Sequence, residues 1–283
     1  MYKAVFLDLD GTLLDDKKII SEEDKDAIKY VREKGGMVFI ASGRPIASTQ
    51  KYFDKIDADK FIVYSNGAGI YDTEARENLF SARIDKRICL DLNRFAKENN
   101  ICIRVDTPYG RYISDEKFAL SLDVIDKNID AVIRENDILQ VSILSETEEP
   151  RAEAIEYINE NIRSGIKIEN VFMTGYNNEF FAINIVNTSA SKGNAIQGLC
   201  KYLKINIEDV IAIGDGANDI SMIEAAGLGV AMLNAEEDVK DIADEITLEN
   251  NNNSGVGKLL KSKFLIKRKG FFLKSKGSLN GSP

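Results

Sequence analysis

Carboxylates gather at two places in this 283-residue chain: Asp8-Leu9-Asp10-Gly11-Thr12 near the start and Gly214-Asp215-Gly216-Ala217-Asn218-Asp219 far downstream. Asp8 and Asp10 are two apart, so on an extended backbone their side chains share one direction. One carboxylate can then attack an electrophile while the other handles protons. Alone, Asp-Gly is equally a turn signal at a strand end. Asp215 and Asp219 are four apart at a helix start and can face one way. If the clusters meet, four carboxylates share one spot, which is unstable without a cation. Hard oxygen donors favour Mg²⁺.

Other segments offer groups for an anion. Ala41-Ser42-Gly43-Arg44-Pro45 puts a hydroxyl, a glycine and a proline at a helix N-terminus, where backbone N–H groups face outward. By itself it reads as an ordinary helix cap. Lys192, in Ser189-Ala190-Ser191-Lys192-Gly193, sits in a first helical turn and opposes the helix dipole. It asks for a compensating anion, or is simply solvated. Asn66-Gly67-Ala68 reads as a turn that can line the cavity. The Gly-x-Gly of the downstream cluster mimics a dinucleotide fingerprint, but Asp219 stands where the third glycine belongs and would repel a pyrophosphate. No GxxxxGK[ST] is present, and zero histidine excludes imidazole catalysis and histidine-ligated zinc.

These groups need strands behind them. Ala4-Val5-Phe6-Leu7 and Val210-Ile211-Ala212-Ile213 read as buried parallel strands ending at the acidic clusters. Ligands in open α/β sheets bind at such C-terminal ends. Strand and helix patterns alternate to about Tyr64, followed by a small hairpin at Ile70–Tyr71 and Leu79–Phe80, and the alternation returns from Ser191. Between them the rhythm changes: helix Lys86–Asn99, strands Cys102–Val105 and Arg111–Ile113, helix Glu116–Ile125, strand Leu139–Leu144, helix Arg151–Ile162 and strands Val171–Thr174 and Phe180–Val186. The fold class expected is α/β, a Rossmann-like doubly wound parallel-sheet core with an inserted α+β domain. Its divisions are 1–82 plus 188–265 for the core, 83–187 for the insert and 266–283 for a tail. Asn250–Asn253 reads as a surface loop.

From Lys258 to Pro283 there are eight basic residues and no acids, so residues 1–257 carry −17, with 29 basic against 46 acidic side chains. The glycines at 270, 277 and 281 argue against continued folded structure there. A disordered extension is expected, with Phe264-Leu265-Ile266 and Phe271-Phe272-Leu273 as a weak membrane-surface contact in the alternative. The net charge of −9 disfavours nucleic acid as a partner, and no apolar run spans a bilayer. The start shows no signal-peptide pattern. Three cysteines outside any CxxC spacing suggest a reducing cytoplasm.

Taken together and in this order, the motifs resemble those of the haloacid dehalogenase superfamily, and within it the Cof-like subfamily with a type IIB cap. Asp8-Leu9-Asp10-Gly11-Thr12 is similar to the first motif, Ser42-Gly43-Arg44 to the second, Lys192-Gly193 to the third and Gly214–Asp219 to the fourth, with Met222 and Asn66-Gly67-Ala68 also in place. The resemblance spans roughly residues 1–265. It implies a Mg²⁺-dependent phosphatase of small phosphorylated metabolites, with Asp8 as nucleophile and Asp10 as acid and base. Mg²⁺ would be held by Asp8, the Asp10 backbone carbonyl and Asp215, with Asp219 in support. It further implies that Thr12, Ser42, Gly43, Arg44, Asn66, Lys192 and Asn218 bind phosphate or substrate, and that the insert is a cap that closes and reads the leaving group. A phosphomutase or phosphotransferase, or a non-catalytic phospho-ligand regulator, is the alternative. Arg104, Tyr109, Arg111 and Tyr112 lie near a turn of the cap and read more readily as a solvated hairpin than as site residues. Sugar phosphates, pyridoxal phosphate and flavin mononucleotide all remain open as substrates.

Overall fold

The computed structural model describes residues 2–120, 123–162, 164–174 and 179–264. The chain opens with β1 (Ala4–Leu7), α1 (Glu22–Glu33), β2 (Met37–Ala41), α2 (Ile46–Phe53), β3 (Phe61–Tyr64), β4 (Gly69–Asp72) and β5 (Glu77–Ser81). It continues through α3 (Lys86–Glu98), β6 (Cys102–Asp106), β7 (Arg111–Ile113), β8 (Asp123–Ile125), α4 (Ile129–Glu135), β9 (Gln140–Ser145), α5 (Glu148–Asn161), β10 (Ile166–Thr174) and β11 (Glu179–Asn187). Then follow α6 (Lys192–Leu203), β12 (Val210–Gly214), α7 (Ile220–Ala225), β13 (Leu228–Ala231), α8 (Glu237–Ile242), β14 (Glu245–Ile246) and α9 (Gly255–Phe264).

Two sheets result. The core sheet runs β14-β13-β12-β1-β2-β3-β4-β5. It is parallel from β14 through β3, and the β4–β5 hairpin extends it antiparallel. Its inner strands β13, β12, β1, β2 and β3 carry no charged residue because helices cover both faces there. Val5, Leu7, Val38 and Ile40 pack toward α1 and α9, whereas Ala4, Phe6, Phe39 and Ala41 pack toward α6 and α7. Phe6 and Phe39 stack at a centroid distance of 4.9 Å. β1 lies between β2 and β12, in register Leu7↔Ile40 and Leu7↔Ile213. The strand order therefore diverges at β1, and a crevice opens above the β1–β12 pair.

The cap sheet runs β10-β11-β9-β6-β7-β8, antiparallel except for the β7–β8 pair. One face, with Ile103, Val105, Val141, Ile143, Ile183 and Ile185, packs under α3, α4 and α5. Two chain crossings join cap to core, and Asn187 Nδ2 donates to the Arg83 carbonyl at 2.8 Å, tying one crossing to the other. Leu139 and Val186, at one end of the cap sheet, pack into the core's apolar cluster.

Two expectations need correction, for the stretch Glu116–Ile125 and for Phe264, and one helix is additional. Glu116–Ile125 is not a helix: it forms a single 3-10 turn capped by Asp115, followed by β8, whose pairing with β7 overrides the local pattern. The helix α4 was not anticipated. The basic stretch from Lys258 is folded as far as Phe264, because α9 docks on α1 through Val256, Leu260 and Phe264. Gly257 N donates to Asp24 Oδ1 at 2.7 Å in the same contact. Phe264 is therefore core and unavailable to a membrane; residues 265–283, with the rest of the expected tail, lie outside the described residues. Among the described residues, no helix is long and apolar enough to cross a membrane.

Candidate active site

β1 and β12 end side by side, so Asp8 and Asp215 emerge next to each other. Asp8, Asp215 and Asp219 bring carboxylate oxygens within 4.8 Å of one another. Lys192 enters this cluster from a third direction. Ser191 caps α6, accepting from Asn194 N at 3.0 Å, and this starts the helix with Lys192 as its first residue. The lysine is fully buried, with Nζ 2.6 Å from Asp8 Oδ1 and 2.5 Å from Asp219 Oδ1. The solvated reading of Lys192 is thus overturned: the anion it required is this carboxylate pair.

Asp219 is committed on both oxygens. Its Oδ1 meets Lys192, and its Oδ2 accepts from Asp215 N at 2.9 Å and Gly216 N at 3.1 Å. This fits a carboxylate that shapes the loop and supports a metal from behind. Asp215 Oδ1 accepts from Thr12 Oγ1 at 2.8 Å. Thr12 is buried, so its hydroxyl orients Asp215; the resemblance had placed it among the phosphate and substrate groups. The second oxygens of Asp8 and Asp215 are the remaining donors for a hard cation. Gly11, at φ +79°, permits this arrangement: a Cβ there would lie 2.1 Å from Asp215 Oδ2.

Burial and mutual repulsion both disfavour ionisation of Asp8 and Asp215. Burial pushes Asp8 up to about 8, with Asp219 and Asp215 adding to the rise and Lys192 opposing it. Burial likewise lifts Asp215 to about 6, helped by the Asp219 charge and resisted by the Thr12 hydrogen bond. For Lys192 burial acts downward, but Asp8 and Asp219 outweigh it and raise its pKa. A buried acidic group whose members resist ionising is the setting in which a divalent cation binds by displacing protons.

Asp10 behaves differently. Its carboxylate turns away from the cluster and is gripped by Arg44, Nε to Oδ2 at 2.5 Å and Nη2 to Oδ1 at 2.6 Å, and by Lys18 Nζ at 2.7 Å. Burial would raise its pKa, yet these two cations hold it at about 2. Its side chain is not among the carboxylates that gather for a metal, which are those of Asp8, Asp215 and Asp219. Lys18, which reasoning from sequence missed, stands at φ +61° in the turn after Asp10, and no local pattern marks it.

The segments expected from the sequence to bind an anion come together near the same opening. Ser42 is buried with its Oγ accepting from Arg44 N at 3.2 Å. Gly43 is required because a Cβ would sit 2.6 Å from Asn66 Oδ1. Asn66 adopts a left-handed φ of 53° and accepts from Asn218 Nδ2 at 2.9 Å, bridging the loops after β3 and β12. Gly67, at φ +84°, packs against the Ser191 carbonyl, where a Cβ would lie 2.1 Å away, so Asn66-Gly67 seats the loop on the start of α6. The Asn250–Asn253 stretch is also more than a surface loop. Asn251 is buried, donates from Nδ2 to the Leu14 carbonyl, and holds Asn234, which in turn donates to the Gly11 carbonyl.

Above these groups lies a cavity of about 390 Å³, lined by Asp8, Asp10, Arg44, Asp215, Asn218 and, from the cap, Arg111 among others. The solvated-hairpin reading holds for Tyr109, which is 70% exposed. It fails for Arg104, which is buried, and for Arg111, which reaches the cavity; Tyr112 packs toward the cap helices. Burial raises the pKa of all three cysteine thiols, Cys89 to about 12 and Cys102 and Cys200 to about 11, so none supplies a thiolate.

A family model described as haloacid dehalogenase-like hydrolase matches residues 5–260. Phosphatase YwpJ of Bacillus subtilis (strain 168) is 29% identical over 289 residues, covering 92% of this chain and 99% of the relative. The 5-amino-6-(5-phospho-D-ribitylamino)uracil phosphatase YcsE of the same organism is 30% identical over 268 residues, covering 92% and 94%. Among solved structures, BT1666 of Bacteroides thetaiotaomicron, reported among the phosphatases of this superfamily, superposes with a TM-score of 0.76 at 26% identity, covering 94% of this chain and 96% of that one.

Proposed function

Because the chain belongs to the haloacid dehalogenase-like hydrolases, we propose that it is a Mg²⁺-dependent phosphatase of small phosphorylated metabolites that works through a phosphorylated Asp8. The observation that carries this reading is the buried Asp8–Lys192–Asp219 arrangement at the end of β1, with Asp215 alongside. It holds one carboxylate oriented and leaves it facing a cavity that fits a small monoester.

Asp8 attacks phosphorus, the ester P–O bond breaks, and Asp10 gives its proton to the departing alkoxide. Water then attacks the aspartyl-phosphate phosphorus while Asp10 takes the water's proton, freeing Asp8 and phosphate. The pull of Arg44 and Lys18 favours an ionised Asp10, which supports its role as the base of the second step. To serve the first, it must leave Arg44 and Lys18 and gain a proton. The phosphoryl oxygens offer Arg44 an alternative anion, so substrate arrival itself loosens the grip. Ser42, Asn218 and Lys192 complete the donors around the phosphoryl group. Asp8, Asp215 and the Asp10 carbonyl would hold Mg²⁺, which when bound neutralises charge between the anionic nucleophile and the anionic phosphate.

Phosphate release from a panel of phosphorylated metabolites, with and without Mg²⁺ and beside Asp8→Asn, tests the reading. Mg²⁺-dependent release that disappears in the variant is expected. Release that persists in Asp8→Asn would overturn the nucleophile assignment.

A further inference from the structure

The end of the core sheet opposite the active site carries a groove that no step of the catalysis uses. It lies where β2 and β3 begin and has a volume of about 450 Å³. Phe39 and Phe61 line it and are buried, whereas Met37, Phe53 and Leu203 line it half-buried. Ion pairs border it. Arg32 Nε lies 3.8 Å from Asp57 Oδ2 and its guanidinium also meets Asp59, while Lys60 Nζ lies 2.8 Å from Asp72 Oδ2 and 3.3 Å from Glu74 Oε2. These pairs set four carboxylates against two cations. An apolar trough with a net acidic border fits an apolar segment flanked by bases.

Such a segment begins beside it. α9 ends at Phe264, whose carbonyl accepts from Tyr30 Oη at 3.5 Å. The Phe264 ring reaches Gly36, where a Cβ would lie 3.0 Å from Cε1. Gly36 precedes Met37, a wall of the groove, and Tyr30 stands two positions before Arg32, another. The 19 residues from Leu265 onward hold Lys267, Arg268, Lys269, Lys274 and Lys276 and no acid, with Phe271-Phe272-Leu273 between the two basic runs. They face the acidic excess of residues 1–257. Phe271 is seven residues past Phe264, a reach of up to about 23 Å. Neighbouring strands lie about 4.8 Å apart, so the apolar triplet can span the starts of β2 and β3. A tether this short also raises the local concentration of the segment to about the millimolar range.

We propose that residues 265–283 form an intramolecular strap: Phe271, Phe272 and Leu273 enter this groove, and the bases on either side meet its acidic border. The strap covers the sheet at the end away from Asp8, so it adds stability and leaves the chemistry untouched. The same residues could instead seek a second copy of the chain or an anionic membrane, and each of these occupants gives a different result in the test.

The chain has no tryptophan, so Phe272→Trp in the full-length protein is a unique fluorescent reporter. At low micromolar protein its emission is expected to be that of a buried indole, and to shift to the red when Leu203→Lys puts a cation into the groove. Ala58→Arg, in the loop before β3 and outside the core clusters, gives the same shift and serves if Leu203→Lys fails to fold. Trypsin cleavage after Lys274 should be slower in the parent than in a folded groove variant by about tenfold or more, because cleavage requires the strap to open. Emission of an exposed indole in the folded reporter protein, or emission and cleavage that ignore the groove variants, overturns the proposal. So does burial that appears only as protein concentration rises, which would place the segment in a second copy. Burial only with vesicles rich in phosphatidylserine would make it a membrane contact and overturn the proposal equally. None of these readouts depends on turnover.

Discussion

Asp215→Asn takes one negative charge from a spot crowded by the carboxylates of Asp8 and Asp219, so without added metal the variant is expected to be more stable than the parent at pH 8, although it would lose a proposed metal ligand. Asp215 titrates at about 6 in the folded protein against an ordinary 3.8, because burial and the Asp219 charge outweigh the Thr12 hydrogen bond and Lys192. The unfolded chain thus releases this proton first. The stability that the protonated group contributes is complete below about pH 4 and is lost as pH rises through about 6. A rise from 3.8 to about 6 corresponds to about 3 kcal/mol, and partial solvent access reduces this to about 1–2 kcal/mol. Asparagine keeps the oxygen that accepts from Thr12 and carries no charge to penalise. In thermal melts with EDTA at pH 8, the variant should melt higher than the parent by about 3–6 °C, with the gap shrinking toward pH 4.5. Added Mg²⁺ should reverse the order, raising the parent's midpoint much more than the variant's. A variant that melts at or below the parent in EDTA at pH 8, or equal Mg²⁺ stabilisation of both, would refute the picture of an anionic cluster that lacks its cation.

Lys192→Met should be costly in a way that Asp215→Asn is not. It leaves Asp8 and Asp219 buried without their shared cation, and about 3–5 kcal/mol of stability should be lost in urea melts together with turnover. Gly11→Ala drives a methyl into Asp215 and strains a left-handed backbone position, so Mg²⁺ binding measured by calorimetry should weaken while the far-ultraviolet spectrum stays native. Phe264→Ala should cost about 3–5 kcal/mol because the ring is buried between α9 and α1. Truncation after Leu265 should leave phosphate release nearly unchanged, and a large loss of activity would show that the remaining tail belongs to the working enzyme.

The parts of the site visible in the sequence are those fixed by backbone geometry close to a strand end. Asp8, Asp215 and Lys192 each follow an apolar run or a helix cap that the sequence itself announces, and glycines 11, 43 and 67 mark where neighbouring groups press too close for a Cβ. The parts that stayed hidden are held by contacts between distant segments. Lys18 reaches Asp10 across a turn with no signature, and Asn251 braces the loop after Asp10 from 237 positions away. Glu116–Ile125 carries helix-like spacing, yet β7 captures its second half as a strand. Arg104 and Arg111 were hardest to judge, because basic residues around a Pro-Tyr-Gly turn look solvated in any sequence. Only the register of the cap sheet shows that Arg104, Asp106 and Arg111 lie on the face turned away from the helices, with Arg111 reaching the cavity. A one-residue slip in the β6–β7 pairing would exchange Arg104 and Asp106 for Ile103 and Val105 on that face and make it apolar. The carboxylate cluster is therefore set by how β1 and β12 end, whereas the polar face of the cap is set by how its strands pair, and the two can change independently of each other.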